Sequence, residues 1–397
     1  MRSKRLAYLC IAAASTMAAC TQETPRETNS RSAPVTNGQA ADLVLGQANF
    51  LGTAPNNGGL SARSMDYPYS LGSDGTRLWI ADAQNQRVMQ WNAAPTTNHQ
   101  PADLIVGQLS AIATTTGPSQ SVMGPSSQSC SDGTRLYVSD AKNNRILVWR
   151  TIPTATGTAA DFVLGQPGFT SIANGAGAAN LYTPMAIWCD TTRVVVADRS
   201  NNRVLIWTTR PDANAAPANV VLGQSAFGLG HGSQQLPTSA SNMYFPRGVH
   251  FDGTRLFVSD SLNHRILVWN SLPTTNGQAA DYVIGQTSLT AGVANAGVNG
   301  AVSATGLHAP DAVMVHNGSL FVSDEGNNRL LVYTPVPTAS GAAATAVIGQ
   351  NTLTMTGRPK ETPTASTFYG LGGFTIVGNN LFVADYGFHR VLRFALN

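Results

Sequence analysis

Short apolar runs of four to six residues recur along the chain, separated by polar turns. In the first unit they are Pro68–Ser73, Arg77–Ala81, Arg87–Trp91 and Asp103–Val106, rich in Val, Ile, Leu and aromatic residues. Runs of this length and composition, bounded by Asp-Gly and other turn residues, predict β-strands. No stretch after the N-terminal segment has a sustained helical period. We therefore expect units of four strands, called strands a to d below.

The four-strand unit occurs six times. Each unit has a Gly-Gln pair directly after strand d, and successive pairs are 58 to 64 residues apart, at Gln47, Gln108, Gln166, Gln224, Gln286 and Gln350. A fixed period in this range indicates a propeller, a solenoid or another array. The sequence predicts an all-β protein whose residues 34–397 form a six-bladed β-propeller of four-stranded blades.

The two ends of the repeated region are complementary. Residues 34–42 nearly copy residues 273–281, which lie between strands c and d of the fourth unit, so the chain enters in the middle of a repeat. The C-terminal residues 394–397 end a strand c with no strand d after it. Residues 42–45 should therefore pair with residues 390–394 as the outer strand of the last blade, which leaves no open seam in the ring.

An Asp ends strand b of every unit, and an Arg follows it five residues later. The pairs are Asp82/Arg87, Asp140/Arg145, Asp198/Arg203, Asp260/Arg265, Asp324/Arg329 and Asp385/Arg390. Because they are the same in every unit, we interpret them as structural: the Asp caps the b–c turn, and the Arg pairs or packs between blades.

These motifs resemble the NHL repeat. Residues 246–269 carry its features most fully, with Pro246, a Gly-Val pair, an Asp-Gly turn, a strand ending at Asp260, and Asn-His-Arg at residues 263–265. The resemblance covers residues 40–397 and implies a propeller fold. Two departures stand out: the units here are longer than typical NHL units, and Pro125 is displaced by one residue. The displacement predicts a local irregularity in the second unit.

Composition limits the class of partner. Charged residues are 11% of the chain and hydrophobic residues 43%, whereas about 25% charged residues is usual. Nucleic acids and anionic membranes require clustered Lys and Arg, so both are disfavoured as partners. The formal net charge of +3 equals the contribution of Arg2, Lys4 and Arg5.

Those three charges begin a segment with the features of a secretion signal. A basic start, an apolar stretch and small residues before Cys20 predict a signal peptide over residues 1–19. The sequence Met-Ala-Ala-Cys resembles a bacterial lipobox, which implies lipidation at Cys20; the alternative is an ordinary signal peptide cut nearby. Residues 20–33 suit a disordered tether. Because Thr21 is not the Asp that retains such proteins at the inner membrane, we expect the periplasmic face of the outer membrane, with membrane contact only through the lipid anchor.

Two cysteines remain in the repeated region. Cys130 and Cys189 occupy strands a of adjacent units with opposite parity, so they could face each other across one gap between blades. A disulfide is one expectation in an oxidising compartment, and two buried free thiols are the other. No CxxC pair or His cluster accompanies them, so a zinc site is not expected.

Candidate chemistry lies where loops are longest. The loops between strand d and the next strand a share one face with the b–c turns, and we call this the long-loop face. Strands a line the central channel, and the equivalent positions at its mouth are Tyr69, Ser127, Met185, Arg247, Asp311 and Gly372. Arg247 and Asp311 are of opposite sign in adjacent blades. A salt bridge between them is one interpretation, and a pair that orients a ligand is the other.

The sequence favours a binding function over catalysis. Similar propeller enzymes, such as amidating-type lyases and calcium-dependent lactonases, need several His, Asp or Glu residues converging on a metal at the mouth. Because this chain offers too few such residues there, we predict no catalytic residue, metal or cofactor. We predict instead a binding or scaffold lipoprotein that recognises an envelope protein, a peptide or a neutral glycan. Tyr69, Arg247 and Asp311 are the candidate binding residues. The alternative is an extracytoplasmic lyase or hydrolase acting at the channel mouth.

Overall fold

The structure is a computed structural model that describes residues 33–230, 235–297, 300–357 and 362–397. The predicted signal peptide, Cys20 and the tether up to residue 32 lie outside these ranges. Within them, no helix is long and apolar enough to cross a membrane.

The described residues form six antiparallel four-stranded sheets arranged as a six-bladed β-propeller, as predicted. Blades 1 to 3 consist of β2 Pro68–Ser73, β3 Leu78–Asp82, β4 Arg87–Trp91 and β5 Leu104–Val106; β6 Ser129–Ser131, β7 Leu136–Asp140, β8 Arg145–Trp149 and β9 Phe162–Leu164; and β10 Pro184–Cys189, β11 Val194–Asp198, β12 Arg203–Trp207 and β13 Val220–Leu222. Blades 4 and 5 consist of β14 Pro246–Phe251, β15 Leu256–Asp260, β16 Arg265–Trp269 and β17 Tyr282–Ile284; and β18 Val313–His316, β19 Ser319–Asp324, β20 Arg329–Tyr333 and β21 Ala346–Ile348. Blade 6 consists of β22 Leu371–Val377, β23 Asn380–Asp385, β24 Arg390–Ala395 and the N-terminal strand β1 Leu43–Leu45.

Short 3-10 turns are the helical elements of the described chain. Two lie in loops before strands a, and five form b–c turns directly after the repeated Asp: Pro55–Gly58 and Ala294–Gly297; Ala141–Asn143, Arg199–Asn201, Ser261–Asn263, Glu325–Asn327 and Tyr386–Phe388.

The ring closes as the sequence predicts. Strand β1 pairs with β24, with Leu43 opposite Arg393 and Leu45 opposite Val391. Beside this junction the backbone N–H of Asn397 donates to the carbonyl of Pro34 at 2.9 Å. The first and last parts of the propeller are thereby joined in one sheet.

Apolar residues fill the spaces between blades. One buried cluster joins Ile206 of blade 3 with Val258 and Trp269 of blade 4, and the other clusters likewise draw on adjacent blades. Alternate side chains of a strand point to opposite faces of its sheet, so both faces of each blade contribute to these cores. The hydrophobic effect thus holds neighbouring blades together face to face.

Each repeated Asp pairs with the Arg of its own blade, and both side chains are fully buried in all six blades. In blade 1, Asp82 Oδ2 accepts from Arg87 Nε at 2.7 Å and from Asn85 Nδ2 at 2.8 Å. Asp82 Oδ1 accepts from the backbone N–H of Asp66 at 2.7 Å. The carboxylate therefore fixes both the b–c turn and the residue that leads into strand a, consistent with a structural role.

The same arginines hold the long loops. Arg87 Nη2 donates to the carbonyls of Ser61 and Ser64 in the loop before its blade, and Nη1 donates to Ala111 in the loop after it. The Nη1 bond to the following loop recurs in blades 2, 4, 5 and 6, with the carbonyls of Phe169, Leu289, Leu353 and Phe50. Loops that would otherwise be tied only at their ends thus acquire internal attachment points.

The Gly-Gln pairs are explained by backbone conformation and by the glutamine amide. All six glycines have a left-handed φ between +80° and +89°, which an L side chain adopts only with strain. A Cβ at Gly165 would also lie 2.7 Å from Leu181 Cδ1. The glutamine that follows, for example Gln108, donates to the carbonyls of Gln86 and Thr115 and so fixes the start of the loop.

Blade 2 has the predicted irregularity. Its strand a, β6, has three residues, whereas strands a of the other blades have four to seven. Pro125 lies outside it, whereas Pro68 begins β2 and pairs with Asp82.

Cys130 and Cys189 lie at the far end of strands a in blades 2 and 3. Their sulfur atoms are joined, with an S–S distance of 2.08 Å and a Cα–Cα distance of 6.0 Å. Of the two sequence-based expectations, the structure has the disulfide geometry.

Breaking the buried ion pair should destabilise the protein far more than breaking an exposed pair in the same blade. Arg87→Met removes the partner of a fully buried carboxylate and should lower the free energy of unfolding by about 3–5 kcal/mol. The matched control is Arg77→Met, because the pair of Arg77 with Asp74 is partly exposed at the a–b turn and should contribute about 1 kcal/mol or less. Chemical denaturation measures both values. Equal losses in the two variants would contradict the structural role of the buried pair.

Candidate functional site

A basin opens on the long-loop face, on one side of the channel mouth. It has a volume of about 500 Å³. Its walls combine b–c turns, such as Ala83 and Lys142, with residues that precede strands a, such as Tyr67 and Tyr182. The two kinds of segment therefore share one face, as the meander topology predicts. The basin lies over blades 1, 2 and 3.

The channel narrows below the basin. The predicted mouth positions Tyr69, Ser127, Met185, Arg247 and Asp311 line one cavity of about 20 Å³, which is room for about one water molecule. The structure thus brings five of the six predicted positions together. The sixth, Gly372, approaches the carbonyl oxygen of Tyr69 so closely that a Cβ would lie 2.1 Å from it.

The direct salt bridge between Arg247 and Asp311 is not formed. Arg247 instead pairs with Glu325, with 3.6 Å between Nη1 and Oε2. Glu325 lies on the b–c turn of blade 5, whereas Asp311 is buried beneath the mouth at 4% exposure. A long side chain from the rim therefore reaches the guanidinium, and the interpretation of Arg247 and Asp311 as a salt bridge was wrong.

Sequence reasoning missed a second ring of residues at the mouth. These residues directly follow the repeated Asp: Ala83, Ala141, Arg199, Ser261, Glu325 and Tyr386. The available signal was variation, because this position differs in almost every blade while the Asp before it never changes. Small residues in blades 1 and 2 leave space for the basin, and the larger ones in blades 3, 5 and 6 provide charge and aromatic surface.

Three tyrosines stack beside the mouth. The ring centroids of Tyr67 and Tyr386 are 4.5 Å apart, and Tyr69 lies 6.2 Å from Tyr67 and 6.0 Å from Tyr386. The hydroxyl of Tyr386 donates to Glu325 Oε1 at 2.7 Å. Burial raises the pKa of all three phenols, so they remain neutral. The stack presents aromatic surface with polar edges.

Two arginines, Arg199 of blade 3 and Arg247 of blade 4, lie on the other side of the mouth. The guanidinium carbon of Arg199 lies 4.5 Å from the centroid of the Phe245 ring. Burial, and then the neighbouring charge of Arg247, lower the pKa of Arg199. Tyr69, Asp311 and Glu325 together raise the pKa of Arg247 against the opposing effect of its burial. Arginine side chains are protonated throughout the physiological pH range, so both guanidiniums are cations held in a confined space.

Asp311 is the acidic group at the bottom of this arrangement. Its Oδ2 atom is buried and has no hydrogen-bond partner within the described chain. Burial raises the pKa of Asp311 to about 6; Arg247 opposes the shift, and the charge of Glu325 adds to it. A buried, incompletely bonded carboxylate is costly for folding and is typical of sites that bind or react.

Two histidines of the b–c turns have structural partners. His264 Nδ1 accepts from the backbone N–H of Ala309, and His389 Nδ1 accepts from that of Tyr67. Asn144, Asn202 and Asn328 accept the equivalent bond in other blades. Among the described residues there is no group of three or more His, Cys, Asp or Glu side chains placed to hold a metal ion.

Comparisons with known proteins found similarity among solved structures only. No family model matches the chain, and no characterised protein was found as a relative by sequence. Similar solved structures include virginiamycin B lyase from Staphylococcus aureus, at 12% identity over 83% of this chain and 95% of that chain, with a TM-score of 0.43. PQQ-bound aldose sugar dehydrogenase from Streptomyces coelicolor has 14% identity over 85% and 96%, with a TM-score of 0.46. A nidogen/laminin complex has 15% identity over 72% and 85%, with a TM-score of 0.41. The NHL resemblance and the lipoprotein type stay predictions.

Replacing Asp311 should change how stability depends on pH. Its folded pKa of about 6 lies above its usual value of 3.8. The native state therefore keeps this proton longer than the unfolded state. The contribution of protonated Asp311 to stability is fully present below the unfolded pKa and is lost as the pH rises through about 6. Asp311→Asn removes this titration. The substitution should therefore change the free energy of unfolding more favourably at neutral pH than in acid, by up to about 3 kcal/mol. Denaturation of both proteins across that pH window measures the difference, and parallel curves would contradict the assignment.

Proposed function

We propose that this chain is a non-catalytic binding protein of the cell envelope. It recognises a protein, peptide or glycan through the long-loop face, with the basin as the central site. The observation that carries the proposal is the open basin of about 500 Å³, whose lining includes Tyr67, Tyr69 and Tyr182. Below it the channel narrows to a cavity of about 20 Å³. A ligand can enter such a basin without passing through the ring.

The chemistry of the lining supports recognition of a partly polar ligand. Tyrosine provides a large contact area, loses little conformational entropy on binding and keeps a hydroxyl for hydrogen bonds. Ser127, Asn144 and Thr183 add polar groups to the same walls. Peptides and neutral sugars both combine apolar surface with hydrogen-bonding groups.

The rigidity of the long loops supports the same proposal. Arg87, Arg145 and their counterparts donate hydrogen bonds to the loop carbonyls. The loops therefore lose much of their conformational entropy during folding, before a ligand binds. A face ordered before binding loses less entropy when the ligand arrives.

The alternative is an enzyme at the channel mouth, and one observation favours it. Asp311 has a pKa of about 6 beside Tyr69 and Arg247, which suits a general acid or base at neutral pH. A lyase or hydrolase of this kind would lose turnover in Asp311→Asn. A binding protein would have no turnover to lose.

The binding proposal is tested with detergent-solubilised full-length protein on peptide and neutral-glycan arrays. Tyr182→Ala should weaken each retained ligand about tenfold or more, because truncating a central tyrosine often costs about 2 kcal/mol. The matched control is Tyr244→Ala: Tyr244 occupies the same repeat position in blade 4, but it lies outside the lining of the basin. Equal effects of the two substitutions, or catalytic conversion of a bound ligand, would refute the proposal.

The envelope location is part of the proposal and needs its own test. Wild-type protein should require detergent for extraction from membranes and should incorporate labelled fatty acid. Cys20→Ala should lose the label. Cys130 and Cys189 should also be unreactive towards thiol reagents in denaturant without reductant. A wild-type protein found in the soluble periplasmic fraction would exclude the anchor.

A further inference from the structure

Arg199 differs from the other arginines of the described chain because its guanidinium makes no hydrogen bond or ion pair there. Every other described arginine makes at least one. The Nε atom of Arg199 is buried without an acceptor. An arginine in this state is costly unless another group completes its bonding.

A second unfilled donor lies in the adjacent blade. Arg247 Nε is also buried without an acceptor, although its Nη1 contacts Glu325. The two positive charges repel each other, which is why Arg247 lowers the pKa of Arg199. Glu325 is shared between Arg247 and the hydroxyl of Tyr386. An additional anion would satisfy both guanidiniums, and a carboxylate matches their planar geometry.

Asp311 adds the opposite requirement. Its Oδ2 atom is a buried acceptor without a donor, and Asp311 and Arg247 line the same narrow cavity. A ligand that supplied only a carboxylate would leave this acceptor unfilled. A hydroxyl or amino group on the carbon next to the carboxylate would place a donor a short distance from the anion.

We propose that Arg199, Arg247 and Asp311 bind the carboxylate end of an α-hydroxy or α-amino acid, or of a peptide C-terminus. The carboxylate accepts from the two guanidiniums at the mouth, and the adjacent O–H or N–H is linked to Asp311 through the one water molecule for which the narrow cavity has room. The rest of the ligand lies along the tyrosine stack and leaves through the basin. The inference rests on the proposed binding function, because it names the group that the mouth of the same site holds.

Calorimetric titration of the full-length protein at neutral pH tests the inference. The probes are L-lactate, L-alanine and trialanine, each compared with its neutral counterpart: the methyl esters of the first two and the amidated tripeptide. At least one acid should bind about tenfold or more tightly than its counterpart, because hydrogen bonds between charged groups are the strong ones. The three acids distinguish the sources of the carboxylate. Equal affinity within all pairs, or no binding by any acid, overturns the inference.

Two variants separate binding from folding. Arg199→Gln should weaken the affinity for the acid about tenfold or more. It should not lower the melting temperature, because it removes no ion pair. Arg210→Gln removes a positive charge that pairs with Asp132 at the a–b turn of blade 2, on the face opposite the mouth, and should leave the affinity within about twofold. A lower melting temperature in Arg199→Gln with unchanged affinity would mean that Arg199 only supports Phe245. The array result for Tyr182→Ala and Tyr244→Ala does not depend on these probes, so failure of this inference and failure of the proposed function are distinguishable.

Discussion

The buried Asp–Arg pair is the interaction on which the rest of this molecule depends. Burying two charges without further bonds would cost several kcal/mol, and the attraction between them does not by itself guarantee a gain. Here the desolvation is offset because the surrounding structure bonds the remaining polar atoms, with Asn85 and the N–H of Asp66 on the carboxylate of Asp82. On the other side, backbone carbonyls of two loops accept from Arg87. The pair stabilises the blade and shapes the loops in one arrangement.

This arrangement separates residues that are fixed from residues that can vary. The repeated Asp must face its Arg, but the residue after it points to the mouth and is alanine in blade 1, arginine in blade 3, glutamate in blade 5 and tyrosine in blade 6. Six nearly equal blades therefore produce a mouth with no sixfold symmetry. The basin lies on the side with small residues, and the charged groups lie on the other.

Most of the fold could be predicted because it depends on local patterns that repeat. Strand bounds follow from short apolar runs, and closure follows from a chain that enters and leaves in complementary parts of one repeat. The six equivalent positions of strands a at the mouth could be placed for the same reason, since equivalent positions of equivalent strands meet at one axis. The partner of Arg247 could not be predicted. It depends on how far Glu325 reaches across from blade 5 and on how deeply Asp311 is buried. The repeat pattern determines neither.

The bonding state of the buried charges differs between the repeated Asp–Arg pairs and the channel mouth. Asp260 and Arg265 are fully buried, and their carboxylate and guanidinium groups are engaged by each other, by Asn263 and by backbone groups. At the mouth, Arg199 and Asp311 keep buried polar atoms without partners. Both sets are desolvated, but only the structural set is compensated within the described chain. Unfilled bonding capacity at the mouth is therefore a property of the free protein that a bound molecule can remove, and it gives such a molecule its binding energy.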